Sequence, residues 1–151
     1  MMKSLVAAVA LVSLGACTSM EDKLGLNIPT YTVTLAPGAG ITSSGSGDGI
    51  ATLDTETKAL GYTINYKGLS SAATMAHIHG PAAEGANAGV VVPLAAPTGT
   101  QVVGVVTLTD AQIADLNAGK YYVNIHTDTN KGGEIRGTLK LFVMPEVRVE
   151  R

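Results

Sequence analysis

The sequence predicts an all-β domain, a sandwich or a barrel, with one short helix between two strands. Beyond residue 28 the chain runs in short stretches rich in Val, Ile, Thr and Tyr. Clusters of Gly, Pro, Ser and Asp interrupt them. Many short strands with regularly spaced turns read as a sandwich or barrel. A single stretch, Thr109 to Gln112, carries the side-chain signature of a helix start. Glycine, at 18 residues, is abundant enough to supply tight turns throughout.

The first element is not part of that domain. Lys3 precedes an apolar run from Leu5 to Val12, which ends in Leu14, Gly15, Ala16 and Cys17. The run is far shorter than the roughly 20 residues a membrane span needs. Small residues before a cleavage point mark a secretory signal. The junction resembles the lipobox of bacterial lipoproteins, in which the thiol is lipidated and the chain is cut just before it. Residues 1–16 are therefore expected to be removed. Residues 17–27 form a lipidated N-terminus and tether, 28–143 the domain, and 144–151 a charged C-terminal tail. The expected partner is a membrane, reached through lipid on Cys17. The expected place is the cell envelope, at the outer membrane or the periplasmic face.

Cys17 is the only cysteine, so the domain cannot hold an intrachain disulfide and must be stable through its core. With Lys3 removed, nine Lys and Arg face twelve Asp and Glu, a net charge of −3. Nothing in this resembles a basic nucleic-acid-binding surface.

The strands are expected at Thr30–Leu35, Gly49–Leu53, Ala59–Tyr66, Thr74–His79, Gly89–Pro93, Thr100–Leu108, Lys120–Thr127 and Glu134–Val143. Gly38–Gly49 reads as a turn region, and its Ser43–Gly49 part as a Gly/Ser loop. The helix is expected over Asp110–Ala118. Thr109 would be its N-cap and Gln112 its N3 partner, with Ile113 and Leu116 on one face and Gly119 as the stop.

The three histidines of the chain lie in two of these strands: His77 and His79 in one, His126 at the end of another. Side chains alternate between faces along a strand. His77 and His79 therefore share a face, with Ile78 opposite. Tyr122, Asn124 and His126 share a face opposite Tyr121, Val123 and Ile125. The apolar sets mark the core, so all three imidazoles leave it. Residues two apart on a strand are about 6.5–7 Å apart, which lets two imidazoles converge on one metal. A third from a neighbouring strand would complete a site suited to copper, zinc, iron or nickel. Unrelated surface histidines are the alternative.

Asp128 to Gly133 reads as a hairpin connection. In the strand beyond it Glu134, Arg136 and Thr138 share one face, and Ile135 and Leu139 the other. Arg136 would then stand diagonally near His126. There it would either draw an anion to the site or pair with Glu134 on the surface.

Several motifs resemble the CHRD (chordin) domain. They are Ala76-His-Ile-His-Gly-Pro, Gly89-Val-Val-Val-Pro-Leu, the segment from Leu108 to Thr127, and Gly133-Glu-Ile-Arg-Gly. The likeness spans roughly Ile28 to Phe142. The CHRD pattern is in turn similar to copper–zinc superoxide dismutase, which implies an eight-stranded Greek-key β-sandwich. By that resemblance His77, His79 and His126 match three copper ligands, and Arg136 matches the arginine that steers the anionic substrate. There is no fourth histidine, no long loop between Gly80 and Gly89 and no disulfide. These departures argue against a separate zinc site and against efficient dismutation.

The resulting expectation is a membrane-anchored domain that binds one copper ion through His77, His79 and His126. It would act in copper handling or superoxide chemistry, with superoxide or a copper donor protein as partner. The alternative is a non-catalytic extracytoplasmic interaction module with no metal. A hydrolase built on Asp54 and Glu56, or on Asp110 and Asp115, ranks third, because solvated surface explains both pairs.

Overall fold

The computed structural model describes residues 28–143. The expected signal, Cys17, the expected tether and the expected tail lie outside the described residues. Among the described residues nine strands and one helix follow in order. They are β1 (Thr30–Pro37), β2 (Ser46–Leu53), β3 (Ala59–Lys67), β4 (Ala73–His79), β5 (Val90–Pro93), β6 (Gln101–Thr107), α1 (Asp110–Asn117), β7 (Tyr122–Thr127), β8 (Ile135–Thr138) and β9 (Lys140–Leu141).

Alternation drives most of these strands. Tyr31, Val33 and Leu35 of β1 are buried while Thr32 and Thr34 are exposed. Leu60, Tyr62, Ile64 and Tyr66 of β3 repeat the pattern. The inward sets of two sheets meet and form one core. One sheet runs β1-β2-β3-β6, the other β5-β4-β7-β8, and every pairing is antiparallel. β3 neighbours β6 and β4 neighbours β7, so the chain crosses between the sheets and returns twice. That is a Greek-key β-sandwich.

The sheets join along one edge. Ala36 and Pro37 of β1 pair with Arg136 and Ile135 of β8, and Tyr31 and Thr32 pair with Leu141 and Lys140 of β9. The expected single strand Glu134–Val143 is thus two. It starts at Ile135 and breaks at Leu139, which is buried and donates its N–H to the Tyr121 carbonyl. The break carries the chain from one sheet to the other along β1. A Cβ on Gly137 would collide with the Thr34 carbonyl, so only glycine permits this close approach.

β2 begins three residues earlier than expected, at Ser46. The glycines that read as a turn serve close packing instead: a Cβ on Gly47 would strike the Asn65 carbonyl of β3. The helix forms as expected and ends one residue sooner. Its capping box is present, with Gln112 N–H donating to Thr109 Oγ1 at 3.2 Å and Thr109 N–H to Gln112 Oε1 at 2.8 Å. Such a cap is worth about 1 kcal/mol. Leu108 and Leu116, both buried, pack α1 against the core. Ile78, Val123, Ile125, Ile135 and Leu139 are all at most 3% exposed, which places the predicted core residues inside.

Candidate metal centre

β7 is the strand that builds the site. Alternation accounts for one buried face, yet all six of its residues are buried. Val123 and Ile125 face the core. Tyr122, Asn124 and His126 face the other way, and loops cover them. The imidazoles leave the core as expected, but they do not reach open solvent: His79 is 8% exposed and His126 6%. His77 is half-buried and forms the open side.

The register brings the three together. Met75, His77 and His79 of β4 stand opposite His126, Asn124 and Tyr122 of β7. His77 is therefore diagonal to His126 on the same face. The ring centres are 4.9 Å apart for His77 and His126, 5.7 Å for His77 and His79, and 5.8 Å for His79 and His126. One nitrogen from each ring falls within 4.8 Å of the other two. Among the described residues this is the one group of three or more His, Cys, Asp or Glu side chains so arranged.

Backbone carbonyls set the tautomers. His79 Nδ1–H donates to the Ala88 carbonyl at 3.0 Å, and His126 Nδ1–H to the Lys131 carbonyl at 2.9 Å. A carbonyl only accepts, so in both rings the Nε2 lone pair is left facing the cluster. His77 Nδ1–H then donates to His126 Nε2 at 3.0 Å. His79 Nε2 is buried with no partner, a cost that native structures seldom carry without a function. Burial, then the nearby His126 and His79, lower the pKa of His77, so its imidazole is neutral at neutral pH. These features fit a metal ion: three ring nitrogens converge, two rings are oriented through their second nitrogen, and one buried nitrogen is without a partner.

Local sequence explains the covering loops. The β7–β8 connection returns tightly because Gly133 adopts φ +113°, and a Cβ there would overlap the Asn124 amide. The Asn124 amide donates to the Gly132 carbonyl at 3.1 Å and holds that loop beside His126. The Gly80–Gly89 connection lies over His79. Tyr122 stacks on His79 with 5.1 Å between ring centres, and its hydroxyl accepts from Ala88 N–H at 3.1 Å.

Arg136 pairs in register with Asn124 and lies diagonal to both His126 and Tyr122. It leans toward Tyr122, with the guanidinium carbon 3.7 Å from the ring centre. Its two terminal nitrogens donate to the Ala86 carbonyl and to Asn87 Oδ1, each at 2.6 Å. Arg136 thus clamps the loop that orients His79. Pairing with Glu134 does not occur.

Sequence reasoning missed Glu134. Placed before β8, it is fully buried. Its carboxylate accepts from Ser43 Oγ (2.5 Å), Ser70 N–H (2.7 Å), Ser70 Oγ (2.6 Å), Thr127 Oγ1 (2.7 Å) and Asn130 Nδ2 (3.1 Å). Burial alone would raise its pKa; the donated hydrogen bonds outweigh that and bring it to about 2. The network ties three loops together beneath the histidine strand.

The other carboxylates have structural uses. Asp54 accepts from the Glu56 and Thr57 amides, and Asp110 and Asp115 pair with Lys58 and Lys120 on the surface. None of them forms a hydrolytic pair.

A Greek-key sandwich with three convergent imidazoles under its loops defines a class: a β-domain that gathers three histidines in an arrangement compatible with a metal ion. The profile of the CHRD domain family matches residues 31–139, and the chain belongs to that family. Neither a search of curated proteins nor one of solved structures finds a match. Among the described residues no helix is long and apolar enough to cross a membrane.

Proposed function

We propose that this CHRD domain holds one copper ion on His77 Nδ1, His79 Nε2 and His126 Nε2, at the cell envelope, as a copper-handling lipoprotein; on binding, the His77 proton moves from Nδ1 to the solvent-facing Nε2 and the His77–His126 hydrogen bond is given up. The observation that carries this reading is the orphaned Nε2 of His79, buried and turned toward the two other imidazoles. The His77–His126 hydrogen bond satisfies those two rings without metal, but no arrangement of the three alone satisfies the third. Imidazole without thiolate or carboxylate suits copper well, and copper binds such sites more tightly than other first-row divalent ions. When bound, copper would supply one-electron redox chemistry.

The chain's residues favour holding over turnover. Ala88 and Lys131 fix two rings, and Tyr122 and Arg136 fix the loop that carries Ala88. For Arg136 to steer superoxide, its guanidinium would have to release Ala86 and Asn87. Superoxide chemistry is therefore the second reading, and activity that falls in Arg136→Ala would favour it. Titration of untagged protein with copper should show one tight equivalent. Absence of any tight equivalent would refute the reading and leave the metal-free interaction module.

The lipid anchor rests on the Leu14 to Cys17 junction. Cys17→Ser should move the protein from the membrane fraction to the soluble fraction and abolish labelled fatty-acid uptake. A variant that stays with membranes, with a wild type that takes up no label, would overturn this part.

A further inference from the structure

β4 presents three side chains to the loop-covered face, and two of them are histidines. Ala76 and Ile78 point into the core at 2% exposure each. Met75, His77 and His79 alternate with them on the opposite face. Met75 stands directly across from His126 in the register. Cβ atoms of such opposed residues are about 4.5–5.5 Å apart, within the span of a methionine side chain. Met75 is 48% exposed, so the core does not use it.

Its position is also the one the site leaves open. Tyr122 and the Gly80–Gly89 loop close the His79 side, and Lys131 caps the far nitrogen of His126. Half-buried His77 and exposed Met75 are what remains toward solvent. A thioether is a soft donor that selects Cu(I), whereas Zn(II) and Cu(II) are served by imidazole and water. Methionine has three rotatable bonds and can swing in or out without disturbing the strand.

We propose that Met75 is a fourth ligand, a thioether that makes this a Cu(I)-holding site. The proposal rests on the three-imidazole reading and adds the oxidation state it serves. The cluster takes Cu(I) as its cargo with Met75 engaged, and takes divalent ions through the imidazoles alone. Met75 on the open side is then the first protein donor that an incoming or departing Cu(I) meets.

The test uses the full mature chain with Cys17→Ser, because an unlipidated thiol would itself bind soft ions. Cu(I) affinity is measured against a competing chelator, and Cu(II) affinity is measured separately. Met75→Leu keeps the size and polarity of the side chain and should weaken Cu(I) by at least about tenfold. Cu(II) should stay within about threefold of wild type. With Ag(I) as a redox-inert probe, the Met75 methyl resonance should shift at one equivalent, while those of Met20 and Met144 stay. Unchanged Cu(I) affinity in Met75→Leu, or an unmoved Met75 methyl, would overturn the proposal. If His79→Ala still abolished binding, the three-imidazole reading would survive that result. Equal losses of Cu(I) and Cu(II) would also overturn it, since they point to damaged packing. A wild-type chain that binds neither ion would refute both.

Discussion

Glu134→Ala should lower the unfolding free energy by about 3 kcal/mol. The buried carboxylate accepts five hydrogen bonds from four residues, and hydrogen bonds to a charged group are worth about 1.5–3 kcal/mol each. The sum overstates the loss, because the freed Ser and Thr hydroxyls can turn to other acceptors. For a domain of this size the melting temperature should fall by roughly 10 °C. The same group sets an acid limb. Its pKa is near 2 in the folded chain against an ordinary 4.5. A depressed carboxylate stabilises fully above the unfolded value and loses that contribution as pH falls through the folded one. Wild type should therefore weaken progressively from about pH 4.5 toward pH 2, and Glu134→Gln should show a shallower slope there. Chemical denaturation at several pH values measures this; identical slopes would show that the network does not hold an ionised carboxylate.

His79→Ala should weaken copper by more than about 100-fold. Loss of even an outer-shell partner commonly costs 10–100-fold, and His79 would be a direct ligand. His126→Ala should do the same. The metal-free variants should stay folded, because neither imidazole packs in the apolar core. A competition titration combined with thermal melting separates the two effects. Retained copper affinity in both variants would place the ion elsewhere.

Period-two patterning made much of this legible. The Ile78 and Val123–Ile125 alternation put the apolar partners inside and all three histidines on one face, where the structure brings them together. The Thr109–Gln112 spacing marked the helix start. What the sequence did not reveal is set by contacts between distant segments. Ser43 and Ser70 reach Glu134 across 91 and 64 residues, and no local pattern announces that a residue beside a hairpin will be fully buried. Burial of the second face of β7 comes from loops whose course depends on Arg136, Tyr122 and Gly133. The split of the last strand follows from β1 serving both sheets, which only the closed sandwich imposes. Met75 was visible in the same alternation as His77 and His79, but an apolar side chain on a polar face carries no signal until its cross-strand neighbour is known.

Electron paramagnetic resonance of the Cu(II)-loaded chain tests the central claim most directly. Three imidazole nitrogens should couple to one copper ion, and the pattern should drop to two in His126→Ala. A wild-type spectrum with fewer than three coupled imidazoles, or one that His126→Ala leaves unchanged, would contradict the three-histidine centre.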